Sequence, residues 1–341
     1  MSVFTRTGTE NQMRWDRSSP RFMEVWYATM THRESGSGLW FRYTITAPDK
    51  RFGSPYCELW AFYFDPDIAR SFAGKQRFSI DQLSPPSGRD DGALVRIGDA
   101  WLSENHLEGS LESRGRTISW SLDFEPDGEC FQHLPQRLLP RLEKRVSVLC
   151  SPNLSVPFSG TVKVDGDAFE LEREPGQQSH RWGRAHSSTW TWAHCSLWDD
   201  DDRAVFEGVA AKAALGPLPA PTMTFAYLQL EDEQIPFNEL RWAFKAKSSY
   251  EMPTWAFTAR TDRWRVVGAS RAHPDRFVQV TYADPDSTLR YCANSEIADL
   301  ALEIYRRESS GWRHHKSLTA TRTAHLEFGQ KDPFPELPIH L

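Results

Sequence analysis

Short runs in which apolar residues alternate with polar or small residues dominate this chain and limit the folds open to it. Gly, Pro, Asp and Asn separate these runs, which include "GLWFRYTIT", "YCELWAFYFD", "TMTFAYLQLED" and "RFVQVTYADPD". A period of two residues is typical of β-strands with one face toward a core. Many short strands in a chain of 341 residues predict an all-β protein made of two antiparallel barrels or sandwiches.

Two segments are the best helix candidates, but neither has a clear helical pattern. Residues 134–146, "LPQRLLPRLEKRV", contain Pro140, which would break a helix because proline lacks a backbone donor. Residues 295–308, "SEIADLALEIYRRE", space their apolar residues in a way that fits a helix and a strand about equally. Strands therefore remain the dominant expectation.

The chain is long enough for two domains, since compact domains usually hold roughly 100 to 200 residues. The clearest change in composition lies at residues 199–222, where an acidic turn leads into a stretch rich in Gly, Pro and Ala, "DDDDRAVFEGVAAKAALGPLPAPT". We predict a domain boundary near residue 200, with one barrel in residues 1–200 and a second in residues 201–341.

The charge balance argues against nucleic acid or an anionic membrane as a partner. The formal net charge is -6 and the isoelectric point is near 6.0, whereas such partners select for concentrated Lys and Arg. The N-terminal residues do not resemble a targeting signal, and no run of about 18 apolar residues occurs. We therefore expect a cytoplasmic protein without an integral membrane segment. The sequence specifies no oligomeric state.

Sequence motifs for nucleotide binding, serine hydrolysis and zinc proteolysis are absent. His180 and His186 lie close together in the chain, but no carboxylate or cysteine follows at a ligand-like spacing. The five cysteines include no C-x-x-C pair and are expected to be reduced and buried. We predict neither a metal site nor a cofactor.

Tryptophan and histidine are concentrated in residues 177–202, "QQSHRWGRAHSSTWTWAHCSLWDDDD". If this segment is a strand, alternation places one set of side chains on a common face: Trp190, Trp192, His194, Ser196 and Trp198. Facing a barrel interior, this set would form an aromatic wall with a polar centre, as in a ligand pocket. The alternative is that the tryptophans fill a core or the seam between two domains.

A second strand, "ELWAFYF", places a carboxylate among aromatic rings. Alternation puts Glu58, Trp60, Phe62 and Phe64 on one face. Apolar surroundings raise the pKa of a carboxylic acid, so Glu58 is a candidate proton donor. A histidine such as His194 or His180 could instead hydrogen-bond the substrate or accept a proton.

The order of several motifs resembles a known superfamily. These motifs are "CELWAFYFDP", "HLEGSLESRGRTISWSLDFEPDG", "FSGTVKVDGDAFEL", "GQQSHRWG" and "WTWAHCSLW". Together they resemble the lipocalin-like group of carotenoid 1,2-hydratases, AttH-type proteins, tocopherol cyclase and fungal Diels-Alderase relatives, over about residues 20–210. The resemblance implies two consecutive lipocalin-type barrels and cofactor-independent hydration or ring closure of isoprenoid or polyene substrates.

Within the "H-x-W-G" segment of that pattern, His180, Trp182 and Gly183 match the family. Ser179 stands where the hydratase-like pattern has an aspartate, and this departure argues against hydration in particular.

We therefore predict two lipocalin-like barrels that bind a hydrophobic isoprenoid, polyene or polyketide-type molecule and cyclise or hydrate it without a cofactor. The predicted catalytic residues are Glu58, His180 and His194. The predicted ligand-binding residues are Trp60, Trp182, Trp190, Trp192, Ser196 and Trp198. Two alternatives stay open, a non-catalytic carrier of the same fold and a carbohydrate-active or carbohydrate-binding β protein.

Overall fold

A computed structural model describes residues 3–84, 92–135, 139, 147–212, 221–231 and 233–338. The helix candidate at residues 134–146 lies almost entirely outside the described residues, as does most of the Gly/Pro/Ala stretch near residue 215. Among the helices that are described, none has the length and apolar character needed to cross a membrane.

The first sheet is antiparallel and has thirteen strands in the described residues. Its strands are β1 (Val3–Thr5), β2 (Phe22–His32), β3 (Ser37–Ala47), β4 (Tyr56–Phe64), β5 (Phe72–Ser79), β6 (Leu83–Ser84), β7 (Val95–Ile97), β8 (Ala100–Leu102), β9 (His106–Ser113), β10 (Arg116–Phe124), β11 (Glu129–Gln132), β12 (Val148–Val164) and β13 (Asp167–Gly183). The main path runs β5-β4-β3-β2-β13-β12-β10-β9-β8-β7-β6, and β11 pairs with both β1 and β12.

The second sheet is also antiparallel and has ten strands within the part of the chain that the structure describes. Its strands are β14 (Thr189–Cys195), β15 (Val205–Lys212), β16 (Thr222–Leu230), β17 (Glu233–Phe237), β18 (Lys247–Glu251), β19 (Thr254–Arg260), β20 (Trp264–Arg271), β21 (Val278–Ala283), β22 (Leu289–Glu308) and β23 (Gly311–Gln330). The order is β17-β16-β15-β14-β23-β22-β20-β19-β18, with β21 paired to β22. The described helices are α1 (Leu240–Ala243) and three 3₁₀ turns, Ile68–Arg70, Ile80–Gln82 and Pro274–Arg276.

Each sheet curls around its own apolar core, which confirms the predicted all-β fold with two antiparallel barrels. In the first barrel, β5 approaches β9 so closely that a Cβ on Gly74 would lie 2.6 Å from the Leu111 side chain. Aromatic side chains fill the interior. Tyr43 accepts a hydrogen bond from the indole N–H of Trp120 at 2.8 Å, and Phe41 stacks on the same indole. This interior is a packed core.

A further cluster lies where the two barrels meet, and we call it the seam. It contains Trp40, Trp60, Phe62, Phe64, Trp190, Val278, Val280, Tyr282, Cys292 and Ile297, contributed by both sheets. The barrels approach closely here, because a Cβ on Gly38 would lie 2.2 Å from the carbonyl oxygen of Glu296. Strands at the seam are therefore apolar on both faces, one toward a barrel core and one toward the other barrel.

The chain passes from the first sheet to the second between Gly183 and Thr189. Strand β14 thus pairs with β15 and β23 of the second sheet, although it precedes the boundary predicted near residue 200. The division into domains at residues 1–200 and 201–341 stays a prediction.

The second helix candidate, residues 295–308, is the C-terminal part of strand β22. Leu300, Leu302 and Ile304 belong to the core of the second barrel, whereas Ile297 belongs to the seam. Pairing with β20 and β23 on either side resolves the ambiguous spacing in favour of a strand.

Candidate active site between the two barrels

A cavity of about 410 Å³ lies between the barrels. Strands β2, β3, β12 and β13 of the first sheet contribute to one side, and strands β14, β15, β16, β21 and β23 of the second sheet contribute to the other. Its aromatic lining includes Tyr27, Trp40, Trp190, Trp192, Phe225 and Tyr282. A volume of this size, with mostly apolar walls and a few polar groups, is typical of a small-molecule site.

Alternation along β14 positions the two tryptophans of the wall. Ala193 and Cys195 point into the core of the second barrel, so Trp190 and Trp192 point the opposite way, into the cavity. This differs from the prediction that the tryptophan face turns toward a barrel interior. The small side chains face the interior because the second barrel's core is already filled by rings such as Trp255 and Phe257.

A histidine–carboxylate pair lies in the cavity wall. His186 Nδ1 is 2.6 Å from Asp284 Oδ1, and the same oxygen accepts the backbone N–H of His186 at 2.9 Å. Because Asp284 is an acceptor, Nδ1 carries the ring proton and Nε2 is left with a lone pair. In the described part of the chain, Nε2 has no hydrogen-bond partner.

Stacking holds the His186 ring in place. Its centroid lies 5.2 Å from that of Trp190 and 5.0 Å from that of Tyr282, with interplanar angles of 19° and 15°. Burial, followed by the nearby charge of Arg181, lowers the pKa of His186 to about 3. The imidazole is therefore neutral at physiological pH and can accept a proton only from a strong acid.

A carboxyl group, Glu327 on β23, also reaches the cavity wall. It lies opposite Trp192 in the register of β14 and β23 and accepts a hydrogen bond from the indole N–H of Trp190. Burial raises the pKa of Glu327 above its usual value, although the Trp190 hydrogen bond and the charge of Arg42 act in the opposite direction. Such a carboxyl group stays protonated to a higher pH than an exposed glutamate.

Three arginines also belong to the polar lining, Arg42, Arg181 and Arg184. The guanidinium of Arg42 lies 4.5 Å from the ring centroid of Tyr282 and 5.1 Å from that of Trp60. Arg181 donates hydrogen bonds to Ser147 Oγ at 2.9 Å and to the carbonyl of Ala185 at 3.2 Å. The cavity is thus aromatic with cationic groups in its wall.

The structure places the predicted residues Glu58 and Trp60 behind this wall. Glu58 forms an ion pair with Arg77 at 2.9 Å, and neither Glu58 nor Trp60 lines the cavity. Trp60 packs at the seam, edge-on to Trp40 and to Tyr282. The two residues share the predicted face, but that face packs against the second barrel.

His180 and Trp182 lie on the opposite face of β13 from Arg181. Both ring nitrogens of His180 have partners, the carbonyl of Glu10 at 2.7 Å and Glu24 Oε1 at 2.9 Å. Trp182 packs with Val148 and the neighbouring cysteines. These contacts join the N-terminal segment to β2 and β13, and their place outside the cavity lining indicates a structural role.

The predicted residues that follow Trp192 in the chain do not line the cavity. His194 Nε2 is 2.9 Å from the carbonyl of Leu154, and its ring stacks on Trp192 and on His325. Because β14 ends at Cys195, alternation does not continue to Ser196 and Trp198. Trp198 instead packs in the core of the second barrel, and neither residue lines the cavity. Of the predicted site residues, the structure places Trp190 and Trp192 on the cavity wall.

Two consecutive antiparallel barrels with an aromatic cavity between them define the cyclase- and hydratase-type class of lipocalin-like folds. The model of the family described as tocopherol cyclase-like matches residues 142–330, and this chain belongs to that family.

Known proteins extend the likeness over nearly the whole chain. An uncharacterized protein of Mycobacterium tuberculosis is 27% identical over 319 residues, which cover 93% of this chain and 88% of the relative. An AttH structure from Nitrosomonas europaea superposes with a TM-score of 0.52 at 12% identity, covering 93% of this chain and 96% of its own. Kievitone hydratase from Nectria haematococca gives 0.51 at 10% identity, with coverage of 96% and 94%. The two structures show the shared fold, and the match to the family model confirms the predicted family resemblance.

Proposed function

We propose that this protein binds a hydrophobic small molecule of the isoprenoid or polyene type in the cavity and cyclises or hydrates it without a cofactor. The observation that carries the proposal is the carboxyl group of Glu327, which has a raised pKa and lies in an aromatic wall. The description of the family as tocopherol cyclase-like and the name of the neighbour kievitone hydratase support ring closure and addition of water as the reaction types.

Glu327 starts the reaction by donating its carboxyl proton to one carbon of a substrate double bond. The other carbon becomes positively charged, and the faces of nearby indoles stabilise such a cation by about 0.5–2 kcal/mol each when water is excluded. Trp190, Trp192 and Trp40 supply these faces. A carboxyl group held protonated by burial is suited to this step, since a general acid works best with a pKa near the working pH.

An O–H oxygen then forms a bond to the cationic carbon, and His186 Nε2 accepts the proton released from that oxygen. The protonated oxygen is a much stronger acid than imidazolium, so the low pKa of His186 suffices for this transfer. Asp284 holds the imidazole in the tautomer that leaves Nε2 free. After product release, His186 loses its extra proton to solvent and Glu327 takes one up from solvent, so both groups return to their starting states.

Hydration and ring closure share this machinery. In hydration the O–H group belongs to water, and in ring closure it belongs to a hydroxyl of the substrate. Neither reaction changes the total oxidation state of the substrate, so neither requires a redox cofactor. A carrier needs only the apolar walls, whereas an acid bonded to the indole N–H of Trp190 and a base stacked on the same ring favour catalysis.

The test is conversion of prenylated phenols, carotenoids, linear polyenes and a glycoside by purified protein, followed by comparison of three variants, Glu327→Gln, Glu174→Gln and Glu58→Gln. Glu327→Gln should lower turnover by about 10²–10⁴-fold, the usual contribution of a general acid, and leave binding within about twofold. Glu174→Gln is the matched control, because Glu174 is also buried but pairs with Arg33 away from the cavity.

Three results would contradict the proposal. Binding without turnover of any class would favour a carrier, and conversion of a glycoside would favour the carbohydrate alternative. Loss of turnover in Glu58→Gln, with Glu327→Gln unaffected, would return the donor role to Glu58.

A further inference from the structure

We infer that the hydrophobic molecule taken by this cavity carries a carboxylate, which Arg42 and Arg181 bind. The inference rests on the proposed function, because it names the chemical class of the molecule for the same site. It follows from the placement of cationic groups whose charge no carboxylate of the described chain neutralises by direct contact.

Arg42 is the more enclosed of the two cations, with only 4% of its surface exposed. Its Nε donates to Thr44 Oγ1 at 2.9 Å, and its guanidinium lies among the rings of Trp40, Trp60 and Tyr282. Aromatic faces attract the charge but do not satisfy all five N–H donors of a guanidinium. Within the residues that the structure describes, Arg42 forms no ion pair.

Within the described ranges, the acceptors of Arg181 are both neutral, the hydroxyl of Ser147 and the carbonyl of Ala185. Burial lowers the pKa of Arg181 to about 10, which still leaves it protonated at neutral pH. The exposed Arg184 adds a third cation to the lining, again without a carboxylate partner in the described ranges.

Some arginines outside the cavity lining do have a carboxylate partner. Arg290, close to the cavity, is 3.5 Å from Asp284 Oδ2, and Arg116 is 2.7 Å from Asp165. The Glu327 carboxyl group in the cavity wall already accepts a hydrogen bond from Trp190, and burial favours its neutral form. The cavity therefore has an excess of positive charge in apolar surroundings.

A buried charge without a partner is costly, and an incoming carboxylate would supply the missing countercharge. Guanidinium groups bind carboxylates with paired, charge-assisted hydrogen bonds. The rest of the lining, including Val209, Met223 and Phe225, suits a hydrocarbon portion. A molecule with a carboxylate head and a polyene or isoprenoid body fits both parts of the wall.

The test uses two probes with the same polyene and different head groups, all-trans-retinoic acid and all-trans-retinol. Each is titrated into the full chain at neutral pH, and quenching of tryptophan fluorescence reports binding. We expect the acid to bind at least about tenfold more tightly, as a charge-assisted hydrogen bond would give. Arg181→Met should reduce that preference to less than about twofold without weakening retinol binding.

Arg33→Gln is the matched control, since Arg33 is exposed and pairs with Glu174; both affinities should be unchanged. Circular dichroism and thermal melting establish that each variant is folded, and Arg181→Lys, which keeps the charge, should retain part of the preference. Equal affinity for the two probes in the native protein would overturn the inference and leave the proposed hydrophobic site standing. Failure of both probes to bind would overturn the inference together with the site.

Discussion

Replacement of Gly329 by alanine should displace Trp190 and disturb the contacts of this indole with Glu327 and His186. Gly329 lies opposite Trp190 in the register of β14 and β23. A Cβ on Gly329 would lie 2.1 Å from two ring atoms of that indole. The backbone of Gly329 is in a conformation that alanine adopts freely, so the whole effect comes from the ring. The indole must shift, which disturbs its hydrogen bond to Glu327 and its stacking on His186.

The magnitude follows from three contributions. Overpacking of this kind costs about 1–3 kcal/mol, and loss of the indole–carboxyl hydrogen bond costs about 0.5–1.5 kcal/mol. The alanine also restricts the unfolded chain, which returns about 0.4–1 kcal/mol. The net loss of stability is on the order of 2 kcal/mol, or a fall in Tm of about 4–8 °C.

Thermal melting measures the loss of stability, and the tryptophan emission spectrum reports the displacement of Trp190. Gly128→Ala is the control. A Cβ on Gly128 has no atom of the described residues within 4 Å, so that variant should lose no stability and should gain about 0.4–1 kcal/mol from the more restricted unfolded chain. Gly329→Ala should also raise the pKa of Glu327, because the Trp190 hydrogen bond lowers it. An unchanged Tm together with an unchanged emission spectrum would refute the packing of Trp190 on Gly329.

Two further predictions concern the cavity wall and its acid. Trp192→Ala should weaken binding of a hydrophobic probe more than tenfold and should lower Tm less than Trp255→Ala does. Trp255→Ala removes a fully buried ring from the second barrel's core and should cost about 3–5 kcal/mol of stability. A large loss of stability in Trp192→Ala with normal binding would make Trp192 a core residue. Turnover should fall as pH rises through the raised pKa of Glu327, because the acid must be protonated. The folded state holds this proton more tightly than the unfolded state, so the group's contribution to stability also decreases over the same rise in pH. Glu327→Gln should flatten that part of the Tm profile, and an identical profile would contradict the assignment.

Alternation predicted which side chains share a face, but it could not predict which way the face points. On β4, Trp60 and Phe62 do lie together, and on β14 so do Trp190 and Trp192. In a single barrel the outer face is polar, which identifies the inner one. Here the outer faces meet at the seam, so both faces of these strands are apolar and the sequence pattern does not distinguish them.

Contacts between residues far apart in the sequence explain why His180 lies outside the predicted site. Nothing near His180 in the sequence indicates that Glu24 and the carbonyl of Glu10 occupy both ring nitrogens. The sequence did contain one usable signal, a glutamate between apolar residues in the strand "AHLEFG". A charged residue on an otherwise buried strand is a candidate site residue, and this one is Glu327.

The two barrels contribute different chemistry to the cavity. The first supplies the cations Arg42 and Arg181, while the second supplies Glu327 and, through Asp284, the orientation of His186. The region that matches the family model, residues 142–330, contains the acid, the base and Arg181 but not β2 or β3. The groups that we propose for proton transfer thus lie within the matched region, whereas Arg42 and Trp40 lie outside it. We therefore expect relatives that share the reaction type to differ in substrate through side chains on β2 and β3, which line the cavity without taking part in proton transfer.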